Sequence, residues 1–299
     1  MTDNLRGIVA VLVSSVAFVL NDVCVKLVSD ELPSGEILVV RGVLATAMLA
    51  VGVVAWGAVR PLGLLLAPMM LLRIASAAGA TVFIVLSLRY LPLATVITVL
   101  QVTPLAVTAG AAIIYRERVG WRRWLAALTG FLGVVLIVKP GGGFGAAAYL
   151  ALATLVFTTT RDLTTRGLHH DIPSIFVAAA SAAAITLAGF LVIPFDGPWQ
   201  IPSGWAWWLM TLSAACLFVA NTAIIMALRT GEMSVIAPFR YVMVPMSILL
   251  GYWLWGDIPD ALAWTGIGLV LAAGLYTLHR ERRGLTRRSA AAPQRSPAE

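Results

Sequence analysis

Polar and charged residues interrupt this chain at intervals close to the length of a membrane-crossing helix, and the stretches between them are almost wholly apolar. Ten such stretches run at about 5–27, 36–57, 69–89, 92–114, 120–138, 145–165, 172–194, 204–228, 232–255 and 260–279. Each is near the roughly 20 residues that a helix needs to cross a bilayer. The connections are short and carry turn residues or charge, as in Ser29-Asp30-Glu31-Leu32-Pro33, Lys139-Pro140-Gly141-Gly142-Gly143 and Gly256-Asp257-Ile258-Pro259-Asp260. The pattern predicts an all-α membrane protein of ten transmembrane helices. The first stretch is read as a retained span and not a removable signal, because Asn21, Asp22 and Lys26 follow it in place of a small-residue cleavage site.

The second half repeats the first at a spacing of 140 residues: Asp22 with Asp162, Pro33-Ser34 with Pro173-Ser174, Leu88-Arg89 with Leu228-Arg229, and Trp124 with Trp264. Lys26 with Arg166, and Glu117 with Asp257, keep the sign of charge. Asp, Pro, Arg and Trp are scarce here, so these coincidences carry more weight than any match of Leu or Ala. They predict two units of five helices, 5–139 and 145–280, with a boundary near 141–145. Residues 284–299, rich in Arg, Ser, Ala and Pro, are expected to form a disordered cytoplasmic tail.

Five spans per unit is an odd number, so the second unit enters the membrane from the opposite face, giving an inverted repeat. The distribution of arginine sets the orientation. With the N-terminus inside, the inner side receives Arg6, Arg60, Arg73, Arg116, Arg118, Arg122, Arg123, Arg161, Arg166, Arg229 and the tail arginines, and the outer side only Lys26, Arg89 and Lys139. Both termini are therefore expected in the cytoplasm. Trp199, Trp205, Trp207 and Trp208 gather at the outer end of the eighth stretch, as an interfacial belt would.

Composition agrees with this picture. The 299 residues are 60% hydrophobic and 12% charged, with a mean hydropathy of +0.92. A soluble domain carries about a quarter charged residues. The net charge of +7 follows from loop and tail arginines, so nucleic acid is not an expected partner; the bilayer and a small-molecule substrate are. Cys24 and Cys216 lie within apolar stretches and are read as buried thiols, not a disulfide. No cluster has metal-ligand spacing, and Gly141-Gly142-Gly143 lacks the Lys-Ser/Thr of a phosphate loop, so no metal, cofactor or ATP-driven step is expected.

The sequence resembles the EamA type of the drug/metabolite transporter superfamily over about residues 5–280. The resemblance is carried by Phe18-x-x-x-Asp22-x-x-x-Lys26, Arg41-Gly42, Leu88-Arg89-Tyr90-Leu91-Pro92-Leu93-Ala94, Pro104, Tyr115-Arg116-Glu117-Arg118, and Trp124 with Gly130 and Gly133. In the second unit it is carried by Leu228-Arg229, Pro238, Pro245, Trp255-Gly256-Asp257 and Trp264-Thr265-Gly266, where Asp257 replaces the usual Glu. The resemblance implies a ten-helix metabolite carrier of the bacterial inner membrane, often an amino-acid exporter. Aromatic-amino-acid exporters and S-adenosylmethionine carriers are among the relatives it brings in.

Arg41 and Arg240 each lie about seven or eight residues inside a span, where a cation needs a partner or a water-filled cavity. Either could receive a substrate carboxylate, or form a structural pair with Asp22 or Asp162. Pro238 and Pro245 flank Arg240, and Pro104 lies near the counterpart of Pro245, so the fourth and ninth spans are expected to be kinked or broken, as helices at carrier sites are. Asp22 with Lys26, and Asp162 with Arg166, are spaced to pair along a helix, in structural, gating or coupling roles. Gln101 and Asn221 could bind substrate or bridge helices. Tyr241, Phe18, Phe83 and Phe157 could line a cavity or simply pack. Thr158, Thr159 and Thr160 suit bonds to their own helix, and Gly130, Gly133, Gly266 and Gly274 suit close helix packing or a dimer contact; a monomer and a homodimer both remain open.

The expected function is a secondary transporter exporting amino acids by alternating access. The alternative is an uptake carrier for S-adenosylmethionine or another vitamin-like metabolite. A membrane enzyme is the remote rival, since only His169, His170 and Asp171 could form a catalytic cluster.

Overall fold

With so few polar side chains to pair with, the backbone has to satisfy its own hydrogen bonds, and helices do this within each segment. The computed structural model describes residues 3–116, 120–139, 145–168, 172–230 and 233–291. The side chain of Arg166, the Leu228-Arg229 side chains, the Glu117–Arg118 turn, the glycines at 141–143 and the His169–Asp171 loop lie outside the described residues. Every regular element among them is helical. They are α1 (Asp3–Val28), α2 (Ser34–Ala55), α3 (Pro68–Tyr90), α4 (Leu93–Leu100), α5 (Thr103–Ile114), α6 (Trp121–Val138), α7 (Ala147–Arg166), α8 (Ser174–Asp196), α9 (Gly204–Thr230), α10 (Met233–Ile236), α11 (Met243–Trp255) and α12 (Ala261–Ala291). Two 3₁₀ segments join them, η1 (Leu62–Leu66) and η2 (Ala237–Val242). α12 continues to Ala291, where the sequence suggested a tail from Gly284; the Leu and Arg residues there extend a helix already nucleated upstream.

Eight of the helical segments are long and apolar enough to cross a membrane, with α4 and α5 counted together as Leu93–Ile114. The chain is a multi-pass, all-helical membrane protein. The two further stretches marked in the sequence correspond to α7 and to the run α10–η2–α11. α7 is rich in Thr and holds Arg161 and Asp162. The other run is interrupted by η2 at Pro238.

Proline explains both interruptions. Pro104 stands in the first turn of α5, and the chain turns at Gln101–Val102 between α4 and α5. Pro238 opens η2, and Pro245 stands in the first turn of α11. A proline lacks the N–H that would continue the helix but fits its first turn.

Packing follows a regular scheme. α1 lies along α9, α3 along α7, α2 along α8, α6 along α12, and α4 against α11. Exposed apolar residues form stripes at helical spacing, such as Val9, Val13, Val16 and Leu20 on α1 and Trp124, Leu125, Leu128, Leu132 and Val135 on α6. These faces suit hydrocarbon. Trp199, Trp205, Trp207 and Trp208 are exposed, and Trp205 stacks on Trp208 at 5.7 Å between centroids.

The α6–α12 pair is held by two glycines face to face. A Cβ on Gly133 would sit 2.7 Å from the carbonyl oxygen of Gly266, and one on Gly266 would sit 2.6 Å from that of Gly133. Gly130 and Gly274 accept Leu105 and the Tyr241 hydroxyl in the same way. Small residues let the two backbones approach, which is the main source of helix attraction in lipid. Gly133→Leu should destabilise the protein by about 1–3 kcal/mol, read as a lower melting temperature in detergent. Gly268→Leu, where an added Cβ meets nothing within 4 Å, should leave it unchanged.

Candidate functional site

The embedded charges separate into two groups. The first is buried at the junction of α1, α2 and α9. Arg41 is 5% exposed and Asp22 9%. Arg41 Nη1 donates to Asn21 Oδ1 at 3.3 Å, Ser213 Oγ donates to the same oxygen at 2.8 Å, and Asn21 Nδ2 donates to Asp22 Oδ1 at 2.9 Å. Asp22 is the charge that attracts Arg41. This is the structural pairing that the sequence offered as one reading of Arg41, and it ties three helices together. Asn21 and Ser213 carry no charge, so no cost of embedding drew attention to them in the sequence.

Asp22 and Lys26 do not pair as their spacing suggested. Asp22 is engaged by Asn21 and Arg41. Lys26, one turn nearer the helix end, donates to the Leu91 carbonyl at 2.7 Å, lies 3.8 Å from Asp257 and sits 5.1 Å from the centroid of the Trp255 ring. A free carbonyl, a carboxylate and an aromatic face together outcompete a carboxylate already committed elsewhere.

The second group keeps part of its surface accessible. Arg240 lies in η2, at the break between α10 and α11, and is exposed. Its carbonyl accepts a hydrogen bond from Gln101 Nε2 at 3.1 Å, so the two interrupted segments meet at their breaks. Here Gln101 acts as a bridge between helices. The Arg240 side chain lies within electrostatic reach of Asp162 and Arg161 on α7. Arg161 Nε donates to Asp162 Oδ1 at 2.9 Å, and these side chains are 34% and 39% exposed. Arg73 on α3 donates to Thr165 Oγ1 and, at 3.5 Å, to Ser181 Oγ. Arg73 also lies within electrostatic reach of Arg161 and Asp162. The sequence placed Arg73 and Arg161 only among inner-side charges; their depth, several residues inside their helices, was the signal that marks them out.

Other expected site residues are distributed around these groups. Phe83 and Phe157 stack at 5.3 Å between centroids, and Gly79 on α3 makes room for the Phe157 ring. Phe18 is half-buried on α1. Tyr241 is buried, with its hydroxyl against Gly274 of α12. Among the described residues Asn221 bridges no helices; its Nδ2 donates to the Leu217 carbonyl of its own helix at 2.7 Å. Thr159 and Thr160 also bond their own helix, whereas the buried Thr158 hydroxyl has no partner. Cys24 and Cys216 are free thiols.

The face opposite the N-terminus is cross-tied. Lys26–Asp257, Arg89–Asp196 at 3.4 Å, and Lys139–Asp260 each join the first half of the chain to the second. The backbone N–H groups of Gly35, Gln200 and Ser203 donate to Asp196, Glu36 and Glu31 respectively. Among the described residues no ion pair joins the halves at the face bearing the N-terminus. Lys139, and behind it the Ala263 N–H, hold the Asp260 carboxyl below the usual carboxylate range. That contribution is present at neutral pH and is lost as pH falls through the lowered value.

The buried network makes a direct prediction. Arg41→Met leaves the Asp22 carboxylate without its counter-charge and should destabilise the protein by about 3–5 kcal/mol. Adding Asp22→Asn should restore most of the loss, both read as melting temperatures in detergent.

Comparison with known proteins gives the family. Residues 5–139 match the EamA-like transporter family. The chain is 30% identical over 178 residues to a riboflavin transporter of Vibrio cholerae, a match spanning 58% of this chain and 59% of that protein. It is 24% identical to a pseudopaline exporter of Pseudomonas aeruginosa, over 93% of this chain and 97% of the relative. It is 24% identical to an S-adenosylmethionine uptake transporter of Rickettsia prowazekii, over 94% and 95%. A solved crystal structure superposes with a TM-score of 0.64 over 94% of this chain and 99% of that one, at 17% identity, a likeness of fold alone. The family match is thus to the EamA-like transporter family, and it is carried by residues 5–139.

Proposed function

We propose that the chain is a secondary transporter that moves a small metabolite bearing a carboxylate, amino-acid export being the first case to test, by alternating access across a bacterial inner membrane. One observation carries this reading. Arg240 stands at a break in a helix, exposed, with no hydrogen bond or ion pair to its guanidinium among the described residues, and Gln101 from a second interrupted segment holds its backbone. Interrupted helices that meet near the bilayer midplane are where carriers bind substrate, and a guanidinium there suits a carboxylate.

The architecture in this reading is ten spans in two inverted units, with both termini cytoplasmic. Its support is the packing scheme. Exchanging each helix for its counterpart 140 residues away turns the α1–α9 pair into the α3–α7 pair and returns α2–α8 and α6–α12 to themselves. The cross-tied face is then the outer one, closed, and the Arg240 site opens inward. These half-buried ion pairs keep some access to solvent, and each contributes on the order of 1 kcal/mol, weak enough to break in a transport cycle. The family relatives are transporters, and the reading includes no catalytic step.

A second reading, uptake of a vitamin-like metabolite, is favoured by the stacked Phe83 and Phe157 rings, whose apolar surface suits a flat ring, and by the riboflavin and S-adenosylmethionine transporters among the relatives. Counterflow in proteoliposomes with radiolabelled amino acids, riboflavin and S-adenosylmethionine separates the two. The first reading expects saturable flux of one amino-acid group, reduced at least about 100-fold in Arg240→Ala, from the roughly 3 kcal/mol of a charge-assisted contact. Flux of riboflavin alone, unchanged in that variant, would remove it. A second test addresses closure. Ser87, fully buried beside the cross-tied face, replaced by Cys in a chain whose Cys24 and Cys216 are Ala, should react slowly with an impermeant maleimide applied outside cells. Adding Lys26→Gln, Arg89→Gln and Lys139→Gln should raise that rate about tenfold; no change would mean that these pairs do not hold the face shut.

A further inference from the structure

Three guanidiniums gather on the inward-opening side of the proposed site, against a single carboxylate among the described residues. Arg73 comes from α3, Arg161 from α7 and Arg240 from η2; among the described residues Asp162 is the acid paired with Arg161 and within electrostatic reach of the other two. Their arrangement is fixed by hydrogen bonds. Arg73 is held to Thr165 of α7 and to Ser181 of α8, and Thr165 Oγ1 donates in turn to the Arg161 carbonyl at 2.7 Å. Arg161 is turned toward Asp162 by its Nε bond. The remaining N–H groups of Arg73 and Arg161, and the whole Arg240 fork, have no acceptor among the described residues.

These side chains cannot face hydrocarbon. Arg240 is exposed and the Arg161–Asp162 pair is more than a third open, inside helices whose other exposed surfaces are apolar. An exposed guanidinium in lipid is expensive, so the open surface beside these groups is aqueous. The inward bias of positive charge accounts for arginines in loops and near helix ends. It does not account for three that converge from three segments with one counter-charge, where their mutual repulsion opposes the fold. Such a cluster is stabilised by an anion, and unused guanidinium forks match carboxylate or phosphate oxygens.

We propose that Arg73, Arg161 and Arg240 line an anion-selective vestibule, so that the transported compound is a net-negative organic acid in preference to a zwitterion or a cation. This rests on the carrier reading above and narrows it: a compound with one carboxylate and one ammonium satisfies Arg240 but is repelled at its cationic end by Arg73 and Arg161. The stacked Phe83 and Phe157, from the same two helices as Arg73 and Arg161, give the vestibule an apolar wall for the body of such an anion.

The deciding experiment reads the local potential without needing the true substrate. Thr165→Cys, in the purified full chain with Cys24→Ala and Cys216→Ala, is reacted with a sulfonate-bearing thiosulfonate and with its trimethylammonium analogue. Relative to a small free thiol, the anionic reagent should be favoured at least about tenfold, the scale on which a charged cleft concentrates counter-ions. Arg161→Gln should reduce that preference several-fold, and Arg60→Gln, in a loop on the same face, should leave it unchanged. Equal rates, or a faster cationic reagent, overturn the inference whatever the flux results are. Counterflow of matched pairs then separates this inference from the reading beneath it: glutamate against glutamine, succinate against succinamide, and glycerol phosphate against glycerol. The anionic member of a pair should move at least tenfold faster, the third pair distinguishing phosphate from carboxylate. Faster flux of the amides leaves a carrier standing and removes anion selectivity.

Discussion

A polar group inside a bilayer has nothing to bond but the protein itself, and the rest of this structure depends on that constraint. Helices satisfy it residue by residue, which is why the described chain is helical wherever it is regular. A break frees backbone groups and is tolerated only where another part of the protein, or water, takes them up. The two breaks here do this for each other: the Gln101 amide, at the end of α4, donates to the Arg240 carbonyl in η2. Prolines that open α5, η2 and α11 fix the places where the helices stop. The same bond fixes the backbone of Arg240 at the break, so a requirement of the backbone also positions the arginine on which the proposed function rests.

Charge obeys the constraint in two ways. Arg41 and Asp22 are taken out of contact with solvent and stitched by Asn21 and Ser213 into the α1–α2–α9 junction. Arg240 stays exposed and Arg73 and Arg161 half-buried, so water beside them is what would make their placement tolerable. The first group makes the bundle specific; the second makes part of it wet. Among the described residues, the ion pairs that join the halves are all on the side away from the N-terminus. Because solvent-accessible ion pairs are individually weak, these half-buried ties are contacts that a modest free energy can undo, whereas the glycine-to-glycine contact of α6 and α12 is set by backbone shape and has no such freedom.

Much of this could be read from the residues alone. Apolar periodicity places the helices within a few residues, and Pro104, Pro238 and Pro245 mark the interruptions because proline acts locally. Depth in a span singles out Arg41 and Arg240, but not which of them is buried: that depends on Asn21 and Ser213, neutral residues on other turns and helices. The Asp22–Lys26 spacing suggested a pair, yet Lys26 finds Leu91 and Asp257, which are distant in sequence and close only once the bundle has formed. Asn221 looked like a bridge and bonds its own helix, since an amide within reach of an i−4 carbonyl has a partner before any neighbour arrives. Local chemistry was legible; partner choice between helices was not.

Alternating access around the Arg240 break requires the two faces to move in opposite senses. Pairs of spin labels on the purified chain in lipid nanodiscs, one pair across the tied face at Asp30 and Ile258 and one across the opposite face at Arg60 and Arg116, measure this directly while a transported compound is added. The account predicts reciprocal changes, with the distance across the tied face lengthening as the other shortens. Distances at both faces that stay fixed, or that change together, would contradict it.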